Sequence, residues 1–112
     1  MSQELSRADF EKVDMRVGTI LTVSDFPEAH KSAFQLQVDF GTELGVLKTF
    51  AQITANYKRT ELVGLQVVAV VNFPKKQIAN FMSECLVLGV IDGDAVTLIN
   101  PGKPVENGLK IG

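Results

Sequence analysis

The sequence predicts an all-β domain, a five-stranded barrel with a short helix between its third and fourth strands. Three observations carry this. Phe34 to Gly41 alternates strictly: Phe34, Leu36, Val38 and Phe40 point one way, and Gln35, Gln37 and Asp39 the other. That is the pattern of a half-buried antiparallel strand. Two apolar runs of strand length follow, LQVVAVVNF from Leu65 and SECLVLGVI from Ser83. Between the third and fourth strands lies ITANYKRTEL, Ile53 to Leu62, which has a helical tendency and is ended by Gly64.

Taken in order, the chain opens with a helical turn over Ser6 to Lys12, where Ser6 and Asp9 have capping spacing. The first strand is expected from about Val13 to Val23, with Met15, Val17, Leu21 and Val23 on one face. Gly18 inside it suggests a bulge or bend. Phe26 to Lys31 reads as a loop. Gly41 and Gly45 bracket a turn, and Leu44 to Gln52 returns with Val46, Lys48 and Phe50 on one face. After Ser83 to Ile91 comes the tight-turn pair Asp92-Gly93, then a short strand over Ala95 to Ile99. The tail from Asn100 carries Val105, Leu109 and Ile111 and is expected to pack. The expected core includes Val17, Leu36, Val38, Val67, Ala69, Val71, Val87 and Leu98. A barrel of the oligonucleotide/oligosaccharide-binding (OB) type places its helix after the third strand and binds ligands on one face and adjacent loops. An SH3-like barrel is the rival.

Composition narrows the function. A chain of 112 residues is expected to form a single domain spanning 1–112. A formal net charge of −2 argues against indiscriminate polyanion binding, so any nucleic-acid site must be a local patch. One cysteine, Cys85, permits no internal disulfide and suits a reducing setting. The polar N-terminus has no apolar signal core, and no apolar run reaches a membrane span of about 18 residues. A cytoplasmic protein without membrane insertion is expected. With a single histidine, His30, and that one cysteine, no metal site or other cofactor is expected. No nucleophile–base pair or phosphate loop supports an enzyme, and no catalytic residue is assigned. The strands at Leu65 and Ser83 are apolar on both faces, and the barrel interior covers only one. A homodimer is therefore expected.

The candidate site lies between those two strands. Lys75, Lys76, Gln77, Asn80 and Ser83 sit on a short loop, interleaved with Ile78, Phe81 and Met82. Lys75 and Lys76 have the chemistry to neutralise phosphates, each contributing about 0.7–0.9 to the salt slope; an ordinary solvated loop reads the same way. Asn80 offers a hydrogen bond to RNA backbone or sugar. Phe26, Phe81 and Met82 read either as a satellite core or as an adaptable peptide-binding surface. Tyr57 beside Lys58 and Arg59 favours packing over base stacking, and Cys85 reads as a buried structural thiol.

Several stretches carry a family resemblance. Asp14-Met15-Arg16-Val17-Gly18-Thr19-Ile20 resembles the opening of the tRNA-binding domain family. Ala51-Gln52-Ile53-Thr54, Val70-Val71-Asn72-Phe73-Pro74 and Ser83-Glu84-Cys85-Leu86-Val87-Leu88-Gly89 resemble its export-chaperone branch, CsaA. Val38 to Glu43 and the ending Asn107 to Gly112 agree with that branch. The resemblance implies an OB-fold homodimer without enzymatic activity that binds tRNA, or in the alternative a holdase for unfolded precursor proteins. It also implies RNA contacts at Lys31, in the loop after the first strand, and at Ser83. Leu86 stands where the wider family has a Met. Gln77, Ala79 and Met82 stand where charged residues are common in the family or its branch.

Overall fold

The structure is a computed structural model and describes residues 3–112. Its elements are α1 (Arg7–Glu11), β1 (Met15–Asp25), β2 (Phe34–Asp39), α2 (Gly41–Leu44), β3 (Val46–Ala51) and α3 (Arg59–Leu62). They continue with β4 (Gln66–Val70), β5 (Lys76–Ile78), β6 (Phe81–Ser83), β7 (Leu86–Val87), β8 (Gly89–Asp92) and β9 (Ala95–Leu98). A five-stranded antiparallel sheet runs in the order β3-β2-β1-β4-β7, with β5-β6 and β8-β9 as separate hairpins. The sheet curls into a nearly closed barrel. Its seam is drawn together where the Glu84 N–H donates to the Lys48 carbonyl at 2.8 Å.

The alternation in Phe34–Phe40 holds: Leu36, Val38 and Phe40 are essentially inaccessible in the barrel core. Val67, Ala69, Ile20, Ile53, Leu62 and Leu98 join them, with Val71 and Val87 packed at the edge. The first strand departs from its predicted register. The β1–β2 pairing shifts between Ile20 and Thr22, a bulge at Leu21 rather than at Gly18. Ile20 therefore points into the core while Leu21 turns outward. Gly18 has a different reason to be glycine: an added Cβ would lie 2.6 Å from Val38 and 2.8 Å from Phe40.

β4 is buried on both faces within the single chain. Val67 and Ala69 belong to the barrel core, whereas Val68 and Val70 pair across with Val17 and Met15 on the outside. The tail supports that layer. Val17 and Gly108, and Val17 and Leu109, exchange backbone bonds at 2.7 and 3.0 Å, and Ile111 bonds to Met15. The Arg16 guanidinium, paired with Asp14 at 2.6 Å, donates to the Gly108 carbonyl at 3.0 Å. That carboxylate holds the guanidinium pKa above its usual value, against burial. The apolar outer face of β4, expected to need a second protomer, is thus buried without one.

The predicted helix over Ile53–Leu62 is only its last turn, Arg59–Leu62. Ile53 is committed to the core, and its carbonyl accepts from the amides of Asn56 and Tyr57 in a turn. Tyr57 packs against the core, and its hydroxyl accepts from the Leu98 amide at 3.0 Å.

Candidate nucleic-acid interface

The stretch expected to be a loop is a hairpin. β5 and β6 pair Lys76 with Ser83, Gln77 with Met82 and Ile78 with Phe81. The turn is Ala79-Asn80, and Ala79 takes the left-handed conformation at φ 52°. The Gln77 amide braces it by donating to the Ala79 carbonyl at 2.7 Å. Because side chains alternate along a strand, Ile78 and Phe81 share one face, and Gln77 and Met82 the other.

The inner face is anchored. Phe81 and Phe26 are buried together, ring centroids 5.3 Å apart, with Ala33 and the partly buried Phe50, Ala29 and Ile78 around them. Of the two readings open for these phenylalanines, the satellite core holds, because each finds aromatic partners inside the chain. Neither offers an exposed peptide contact. Met82, on the opposite face, is half-buried. The same cluster ties the Phe26–Ala33 loop to the hairpin, so exposed Lys31 is carried on a segment joined to Lys75, Lys76 and Asn80, also exposed.

Ser83 faces inward. Its hydroxyl is 2.9 Å from that of Thr49, which donates to the Cys85 carbonyl at 2.6 Å. Ser83 is 7% exposed. Its hydroxyl thus fixes the hairpin to β3 and leaves little of its surface for a direct RNA contact.

Thr49 and Glu84 were missed in the sequence. Thr49 lies on the face of β3 opposite Lys48. The Glu84 carboxylate accepts from the Lys48 amide at 2.9 Å and lies 3.4 Å from the Lys75 ammonium. The Lys48 amide first, with Lys75 adding, holds this carboxyl below its usual pKa against partial burial. Lys48 extends its ammonium over the Phe81 ring, 5.5 Å from the centroid. The only sequence signal for Glu84 is an acid placed next to Ser83 in a stretch otherwise rich in lysine.

Beside the hairpin a groove of about 740 Å³ runs between β3, the segment after β4, and β7–β9. Thr49, Phe73, Leu86 and Ile91 lie along it, with Lys75 and Lys76 at its rim. The arrangement offers cations and amides on a fixed hairpin next to an apolar channel.

Such a barrel, with a cationic hairpin and a tethered loop at one side, defines an OB-type ligand-binding domain. A family model described as "Putative tRNA binding domain" matches residues 15–110, and the chain belongs to that family. It is 39% identical over 111 residues to a methionine–tRNA ligase of Nanoarchaeum equitans. It covers 96% of this chain but only 13% of that ligase. Among solved structures it is similar to chaperone CsaA from Bacillus anthracis, with 43% identity and a TM-score of 0.93 over 98% of this chain and 100% of that one. CsaA chaperone protein from Picrophilus torridus is 50% identical, with a TM-score of 0.91 over 97% and 100%.

Proposed function

We propose that this domain is a non-catalytic, cytoplasmic binder of structured RNA of the tRNA kind. Lys31, Lys75, Lys76 and Asn80 make the contacts, and Ser83 positions the hairpin. The observation that carries the reading is the Phe26–Phe81 cluster, which puts two lysine-bearing segments on one rigid platform. Lysines act there as point charges on phosphates, and Asn80 as a hydrogen-bond partner to backbone or sugar. With a net charge of −2, little long-range attraction assists, so local cations matter more. Replacing Lys75 and Lys76 together by Ala is expected to weaken binding of a tRNA transcript and lower the salt slope by roughly 1.5–2. Fluorescence anisotropy over a salt series reads both. Unchanged affinity at matched salt, with the variant folded, places the RNA site elsewhere.

The apolar groove favours a second reading, a holdase for extended precursor segments. Phe73 and Ile91 along the groove are 54% and 81% exposed. Met82 adds an adaptable side chain on the hairpin. Salt separates the readings, because phosphate contacts weaken steeply with it and apolar burial does not.

A further inference from the structure

We propose that Glu84 is an internal competitor for the RNA phosphate at Lys75, so that binding exchanges one carboxylate for one phosphate. This rests on the reading that the hairpin lysines contact RNA. In the free protein the Lys75 ammonium lies 3.4 Å from the Glu84 carboxylate. The two partners differ in freedom: the Lys75 side chain is 65% exposed and the Glu84 side chain 20%. Glu84 is fixed, because one carboxylate oxygen accepts from the Lys48 amide and its own amide donates to the Lys48 carbonyl. Turning away would break the bond from the Lys48 amide, one of the two that join Glu84 to β3. Among the described residues Lys75 makes this one ion pair, through a side chain that is 65% exposed, and such a pair exchanges easily.

When Lys75 swings to a phosphate, Glu84 stays behind as an unneutralised charge beside the incoming polyanion. The nearby cations, Lys48, Lys75 and Lys76, are then opposed by one anion that does not move. A ligand with a single phosphate meets that opposition at its only contact. A folded RNA that presents phosphates to Lys31 and Lys76 at the same time offsets it. Glu84 thereby lowers affinity for isolated phosphates and short strands more than for structured RNA, and acts as a specificity-determining residue.

Glu84→Gln tests this, because the amide oxygen keeps the bond from the Lys48 amide while the charge is lost. Anisotropy with a tRNA transcript over a salt series is expected to show roughly three- to tenfold tighter binding and a slope steeper by about 0.7–0.9. In the Lys75→Ala background the gain, on a logarithmic scale, is expected to fall by half or more. A folded Glu84→Gln that binds no tighter, while Lys75→Ala with Lys76→Ala still weakens binding, overturns the competition and leaves the hairpin site standing. If the double lysine variant binds like the parent, the site reading fails, and this inference with it. Should Glu84→Gln not fold, the ¹³C shift of the Glu84 carboxylate in the intact protein decides. It moves on adding the transcript at constant pH if Lys75 leaves it, and a stationary signal overturns the proposal.

Discussion

Cys85 lies against the barrel core, and burial pushes its thiol up to about 12; Glu84 adds to the rise and a hydrogen bond from Thr49 opposes it. The native thiol is thus neutral across the physiological range, and the thiolate is the reactive form. Native protein at mildly alkaline pH is expected to react with iodoacetamide at least about 100-fold more slowly than protein in denaturant. Similar rates in the two states would show an accessible thiol. The same shift has a sign for stability. An acid whose native pKa is raised stays protonated while the unfolded chain ionises. Stability is therefore intact below the unfolded value, about 8.5, and declines as pH rises through the interval up to about 12.

Phe26 helps to hold the β5–β6 hairpin in place, beside the Ser83–Thr49 contact and the hairpin's own short ladder. Phe26 reaches Phe81 at 5.3 Å and Phe50 at 6.3 Å, clamping the Lys31 loop, the hairpin and β3 together. Phe26→Leu keeps an apolar filling but loses the ring contacts, at an expected cost of about 1–1.5 kcal/mol in denaturant unfolding. It is also expected to weaken tRNA binding several-fold without altering any charge; a less stable variant that binds as well as the parent would show that Lys31 and the hairpin act independently. Elements differed in how far the sequence revealed them. β2 was legible because its two faces differ in polarity at every position. The start of β1 was not, because a bulge at Leu21 reverses which face is inside, and bulges arise from pairing. The helix was overread because Ile53 answers to the core before it answers to local propensity. At the site, Lys31, Lys75, Lys76 and Asn80 were legible as exposed donors. The inward turn of Ser83 and the role of Glu84 depend on β3 meeting the segment after β6, a contact between residues 34 to 36 positions apart.

For the whole molecule the open quantity is the apolar surface that one chain leaves uncovered. The expectation of a homodimer began from two strands apolar on both faces, and β4 resolves its own outer face against β1 and the tail. The second run does not. Leu86, Val90 and Ile91 remain 47%, 58% and 81% exposed, and Phe73 54%. These residues lie on β7, on β8 and in the segment after β4, and three of them line the groove. A second copy over this region would bury on the order of 2,000 Å² or more if the interface is of the obligate type. It would also set two cationic hairpins on one particle, useful to a single RNA only if that RNA spans both. Light scattering at micromolar concentration is expected to give about twice 12.2 kDa. Ile91→Lys is expected to shift it toward one copy while unfolding changes little, since Ile91 is outside the core. A 12.2 kDa particle for the parent would overturn the dimer. The same experiment bears on the ligand. A partner that covers Phe73, Leu86 and Ile91 takes the apolar floor from any extended peptide, whereas the exposed lysines of the hairpin lie at the groove's rim. A dimer lost through Ile91→Lys with peptide binding gained would mean that self-association and peptide compete for one surface, with RNA binding left to the hairpin.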